Sequence, residues 1–279
     1  MQKLVLMFIF AWPLACSAFE PLITDDAAVV GVGANQLEIY FTAIYQHGVN
    51  ANSPGDTISP DEEFSSPSTA RGFPITYTRG IFENIEASFS STYFTQPSGN
   101  FQRIANNVLG IKWRFIGNSD SQFAAAIKPI VILPATTQQQ VNGLASASTN
   151  YGSNFIISRY WENIELHINA AYLRGSYNSN YSVGQSFDTR RVNLYFLTAA
   201  PVWNIMPGVK IALDFGLTTN PPKTEQSLNN YGMLALIISP YKNIDLGFSV
   251  MRTAANFGVV MNGAGENTAR TEMGVTWRF

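Results

Sequence analysis

A chain of 279 residues with 46% hydrophobic but only 13% charged side chains has about half the charge of an ordinary soluble domain, in which roughly 25% of residues are charged. Seventeen basic and nineteen acidic residues leave a net charge of −2, with no basic excess to hold a phosphate backbone, which sets nucleic acid aside as a partner. With 19 Phe, 12 Tyr and 5 Trp the chain is not compositionally disordered, and its balance suits a protein with one face in lipid and another lining a polar interior.

Residues 1–18 read as a signal peptide. Lys3 precedes the apolar run Leu4–Phe10, Pro13 breaks it, and Cys16-Ser17-Ala18 places small residues before a cleavage point after Ala18. The run is too short for a transmembrane helix. Leu14-Ala15-Cys16 partly fits a lipidation motif at Cys16, but Pro13 stands where a branched aliphatic is expected. Cys16 is the single cysteine, so the remaining chain has no disulfide and no thiolate metal site. No later run of 18 apolar residues exists, so any membrane crossing must use strands.

Residues 19–34 form an N-terminal periplasmic segment. Thr24, Asp25 and Asp26 just before the first strand define either a small plug in the periplasmic mouth or a solvated tail.

From residue 35 to 279 the pattern is that of a β-barrel. An aromatic, a tight turn and a strand opening recur at Phe82-Glu83-Asn84-Ile85, Trp161-Glu162-Asn163-Ile164 and Tyr241-Lys242-Asn243-Ile244. Asn84 to Asn163 is 79 residues and Asn163 to Asn243 is 80, while turns at 117–121 and Pro207-Gly208 fall between. Short turns thus recur every second strand. The intervening strands alternate apolar and polar: Ile164, Leu166 and Ile168 oppose Glu165, His167 and Asn169, and Ile211, Leu213 and Phe215 oppose Lys210, Ala212 and Asp214. Strands near 150–160 and 231–240 alternate poorly. Six long polar connections and five short turns give twelve strands. An even number of antiparallel strands, with short turns at one end and long loops at the other, is the layout of an all-β, up-and-down transmembrane barrel of the Gram-negative outer membrane. A soluble sandwich shares the alternation but would expose more charge than this chain has. Aromatics at strand ends (Phe82, Tyr160, Trp161, Trp203, Tyr241 and Phe279, with Tyr45, Tyr93, Phe94 and Tyr172 opposite) are expected to form two interfacial girdles.

The chain ends with Met273, Val275, Trp277 and Phe279 alternating with Gly274, Thr276 and Arg278. A terminal aromatic on such an alternation resembles the signal read by the bacterial barrel-assembly machinery, which would be a partner along with outer-membrane lipid. The opening Pro21-Leu22-Ile23-Thr24-Asp25-Asp26-Ala27, then Gly31, Gly33 and Gln36-Leu37-Glu38, resembles the MetA-pathway of phenol degradation family of outer-membrane proteins. Gly80 to Phe89 and Trp277-Arg278-Phe279 look similar too. The resemblance implies a transporter-like barrel linked to uptake of aromatic compounds. The chain departs from the family with Ala28-Val29-Val30 after the motif and with a long acidic first loop.

The polar strand faces place Glu38, Glu86, Glu165, His167, Asp214, Asp245 and Glu272 with Lys112, Arg114, Arg191, Lys210, Arg270 and Arg278 along the lumen. Such a set is either an ion-pair network filling the barrel or the lining of a passage that selects solutes by charge. Twelve strands accommodate both. The expected function is passive passage of small solutes, hydrophobic or aromatic ones among them. The alternatives are a closed structural or surface-interaction barrel and a lipid enzyme. An enzyme is not expected: His167 shares its face with Glu165, but no motif positions a Ser nucleophile. No cofactor or metal is implied, since neither dinucleotide nor cation-loop spacing occurs.

Overall fold

The computed structural model describes residues 21–47, 70–96, 99–118, 121–141, 145–176, 191–219, 228–255 and 267–279. The signal-peptide and Cys16 readings, and much of the long connections, lie outside the described residues.

Alternation with period two builds twelve strands: β1 (Asn35–His47), β2 (Ala70–Phe82), β3 (Ile85–Gln96), β4 (Ile104–Ile116), β5 (Phe123–Ile132), β6 (Asn150–Tyr160), β7 (Ile164–Ser176), β8 (Arg191–Met206), β9 (Val209–Thr219), β10 (Leu228–Tyr241), β11 (Ile244–Ala255) and β12 (Asn267–Arg278). Each strand pairs with its chain neighbours, and β12 returns to β1, with Trp277 opposite Leu37 and Met273 opposite Phe41. The sheet therefore closes and has no free edge. A short helix, α1 (Thr137–Val141), lies in the β5–β6 connection.

The repeated Asn residues have a common job. Each lies in a short turn and offers its carbonyl to the next hairpin: Arg114 N–H donates to Asn84, Asn204 N–H to Asn163 and Arg278 N–H to Asn243, at 2.8, 2.9 and 2.8 Å. The repeat in the sequence is thus the repeat of ladder closures along one rim.

Large apolar side chains stand outward on every strand, among them Phe89, Leu109, Trp113, Phe155, Leu197, Phe215, Leu234 and Phe248, each more than a third exposed. A continuous apolar belt of this extent has no place in water. Strands of 10–16 residues are long enough to span a bilayer when tilted. Among the described residues no helix is long and apolar enough to cross.

The inner face is less uniformly polar than alternation suggests. On β6 and β10 the inward residues Ile156 and Met233, Ala235 and Ile237 are buried while Phe155 and Leu234 face out, so both faces are apolar and the period is blurred. Two girdle assignments are corrected. Phe94 is fully buried with Ile44 and Ala105, and Tyr160 packs inside against the Ala27 cluster. Both share the inward parity of their strands, with Glu86 and Ser158 respectively. On β4 a bulge near Asn106 (φ 53°) shifts parity, so Ala105 and Lys112 both point inward.

Leu109→Arg, at the middle of β4 on the outer face, is expected to lower folding stability in bilayers by about 2–4 kcal/mol, and Ile164→Arg, at a strand end, by about 0–1 kcal/mol. Denaturant titration of the refolded protein in lipid vesicles measures both; equal losses would contradict the depth assignment.

Candidate functional site inside the barrel

A closed wall spends its backbone hydrogen bonds on itself, so anything inside must be held by side chains. Residues 21–34 run along the inner wall and, up to their last turn, are held in this way. Leu22 packs on Val202, Ala212, Ala235 and Ile237 of β8–β10. Asp214 on β9 accepts from the N–H groups of Ile23 and Thr24, both at 2.8 Å, and from the Thr24 hydroxyl at 2.6 Å. The amide of Asn169 on β7 faces the Asp25 backbone, and with its oxygen turned to the Asp25 N–H (2.6 Å) its nitrogen donates to the Asp25 carbonyl (2.9 Å). Ser158 Oγ on β6 accepts from the Ala27 N–H at 2.9 Å, Lys112 Nζ on β4 donates to the Ala28 carbonyl at 3.0 Å, and Glu86 on β3 accepts from the Val30 N–H at 2.7 Å. Finally the Gly33 N–H donates to the Gly80 carbonyl on β2 at 3.0 Å before the chain enters β1. The segment follows the inner wall strand by strand, as a hoop across the lumen. Gly80 is required there, since a Cβ would lie 2.0 Å from the Gly31 carbonyl oxygen.

Lys112 is the electrostatic centre. Its ammonium is fully buried, 3.0 Å from Asp25, 3.2 Å from Glu86 and 3.7 Å from Asp26. Lys128 on β5 reaches the other Asp25 oxygen at 2.7 Å. Burial works against charge on Asp25, but Lys112 and Lys128 outweigh it and hold the carboxyl well below the usual carboxylate range. For Asp26 burial prevails over Lys112 and pushes the carboxyl up from 3.8 to about 6. One Asp26 oxygen, Oδ2, is buried with no hydrogen-bond partner among the described residues.

Of the lumen residues expected from sequence, Glu38, Glu86, Lys112, Arg114, Glu165, His167, Asp214, Asp245 and Glu272 are buried inside, and Lys210, Arg270 and Arg278 are partly buried. Lys210 pairs with Glu165 at 2.7 Å, Arg270 with Glu272, and Arg278 with Asp245, while Arg114 donates to the Glu83 carbonyl at the turn. Arg191 opens β8 opposite Ser176, and its side chain lies outside the described residues. Met273, Trp277 and Phe279 face outward, and Val275 is half-buried on the same face. Sequence reasoning missed Lys128, Asn169 and Ser158 as contacts of the segment. Inward parity on β5, β7 and β6 was the available signal.

Ser158 also lies within reach of His167, Oγ to Nδ1 at 2.8 Å, and His167 Nε2 is 3.6 Å from Glu165. The three residues are the types of a hydrolytic triad, but Ser158 is fully buried and its Oγ already accepts from Ala27. A Ser beside His167 is the arrangement an enzyme reading would call for; in this geometry the hydroxyl anchors the segment.

No family model matches the chain, and no curated protein matches it. Solved structures do. An outer-membrane channel from Pseudomonas putida F1 is similar with a TM-score of 0.59 at 12% identity, over 91% of this chain and 98% of that one. The NanC porin is similar with a TM-score of 0.54 at 13% identity, over 86% and 98%. The KdgM porin, solved with disordered oligogalacturonate, is similar with a TM-score of 0.50 at 10% identity, over 87% and 99%. The fold is therefore that of the bacterial outer-membrane channel barrels.

The two aspartates give the held segment a pH dependence with a worked sign. The docked Asp26 keeps its proton up to about pH 6, whereas the free group loses it near 3.8, so docking strengthens as pH falls from 6 toward 4. Asp25 is shifted the opposite way, so docking weakens again once pH falls below its ordinary 3.8. Protease protection of residues 21–30 is expected to be greatest near pH 4. Asp26→Asn should remove the dependence between pH 4 and 6; protection that is flat in the unsubstituted protein would contradict the assignment.

Proposed function

We propose that this protein is an outer-membrane channel for passive passage of small solutes, with residues 21–34 forming the constriction. One observation carries the reading: along the inner wall the centre of the segment is held by polar and charged side-chain contacts to Asp214, Ser158, Lys112 and Glu86, which water can replace. The barrel's own ladder is complete without it. The fold shared with solved outer-membrane channels supports a transport role over catalysis, and we read Ser158 and His167 as anchors.

The solutes we infer are small, hydrophobic or aromatic compounds. Two features support this class. The opening motif resembles the phenol-degradation family of outer-membrane proteins. The inner wall also carries apolar patches, one of Ile44, Phe94 and Ala105 with Phe101 and Ala145 at the long-loop end, the other of Val202, Ala212, Ala235 and Ile237 behind Leu22. Membrane lipid is the partner of the outer belt, and the outward Met273, Val275, Trp277 and Phe279 are the residues we assign to recognition by the assembly machinery.

A reversible tether tests the constriction. Ala27→Cys with Ser158→Cys, in a Cys16→Ser background, joins the segment to β6 where the Ala27 N–H now meets Ser158 Oγ at 2.9 Å. The oxidised protein is expected to be silent in planar bilayers and to show discrete, salt-dependent steps after reduction. Equal conductance in both states would reject the constriction. A folded barrel silent in both would favour a closed structural role.

A further inference from the structure

Asp25 is held as a ligand would be held. Its carboxylate bridges two ammonium groups, Lys112 at 3.0 Å and Lys128 at 2.7 Å. Its own N–H and C=O are both taken by one amide, that of Asn169. Side chains of three different strands, β4, β5 and β7, therefore converge on a single residue. The Lys112 side chain is fully buried and that of Asp25 is 13% exposed, so these contacts are made largely out of water. On the wall itself Glu86 faces Lys112 at 3.2 Å. Two lysines and one glutamate leave the wall with one unmatched positive charge, which Asp25 answers at both lysines and Asp26 more distantly at Lys112. The lysines keep Asp25 ionised, as a bound carboxylate solute would be.

The contacts recognise features that a free molecule can also carry: a carboxylate and a neighbouring amide. A dilysine bridge to a carboxylate is charge-assisted at both oxygens and stronger than neutral hydrogen bonds. What gives Asp25 its advantage is attachment. A short flexible tether supplies an effective concentration on the order of millimolar, which a free solute can match.

We propose that Lys112, Lys128 and Asn169 form a carboxylate-binding site on the inner wall, occupied by Asp25 as an internal stand-in, and that carboxylate solutes displace it and so open the passage. The proposal rests on the constriction described above and adds the chemistry of the solute that relieves it. For an aromatic solute, the carboxylate would address the lysines while the ring remained beside the apolar wall.

The test uses the full chain in planar bilayers with two probes that differ in one group. N-acetyl-aspartic acid N-methylamide carries the carboxylate; N-acetyl-asparagine N-methylamide replaces it with an amide. At tens of millimolar, above the effective concentration of the tether, the acidic probe is expected to raise open probability several-fold, and the amide to leave it unchanged. Lys128→Met should abolish the response and Lys128→Arg retain it. An equal response to both probes, or a response that survives Lys128→Met, would overturn the site. If the oxidised cysteine tether silences the channel but the acidic probe does nothing, the constriction stands and the carboxylate site falls. If the tether leaves conductance unchanged, both fall.

Discussion

The interior is organised by the need to neutralise one ammonium group. Lys112 points into the barrel from β4, fully buried, where an uncompensated charge would be several kcal/mol unfavourable. Glu86, directly opposite Lys112 on the paired strand β3, meets part of that need. The rest comes from outside the sheet, through Asp25, Asp26 and the Ala28 carbonyl. The segment that supplies them must therefore pass within a few ångströms of β4, and its course across the lumen follows.

That course is also shaped by what the wall cannot offer. In a closed barrel the strand N–H and C=O groups are used up in the ladder, so a segment inside cannot pair as an added strand. Its backbone is satisfied instead by Asp214, Asn169, Ser158, Lys112 and Glu86, one after another. Among the described residues, main chain meets main chain at Gly80, where a missing side chain admits the backbone of residues 30–33. The short polar residues on the inner face are thus there to solve a hydrogen-bonding problem as much as to line a passage.

This explains what was legible in the sequence. Strand number, turns and outer face follow from alternation and from Asn84, Asn163 and Asn243, because lipid on one side enforces period two. Thr24, Asp25 and Asp26 stood out because acidic residues before a first strand need a reason. The partners did not stand out. Lys128 is 103 residues from Asp25, and Ser158 is 131 from Ala27. Nothing local marks which inward position a distant segment will touch. Strands β6 and β10 looked irregular for the same cause: their inner residues pack on Ala27 and Leu22, so selection for polarity is relaxed. Phe94 and Tyr160 lie near strand ends, but their parity, shared with Glu86 and Ser158, points inward.

The choice of charged contacts bears on whether the segment is built to stay. Buried ion pairs rarely hold two elements together better than well-packed apolar residues of similar size. A barrel needing only a permanent filler would be better served by Leu and Ile on both sides, as around Leu22. Instead the central contacts join Asp25 and Asp26 to lysines, and Asp214 to bare N–H groups. Each such contact loses most of its strength when water enters, because the attraction scales inversely with the local dielectric. The hold is therefore sensitive to water and strongest while the section is dry. Such a hold can be released by hydration without any change in the wall, as the proposed constriction requires.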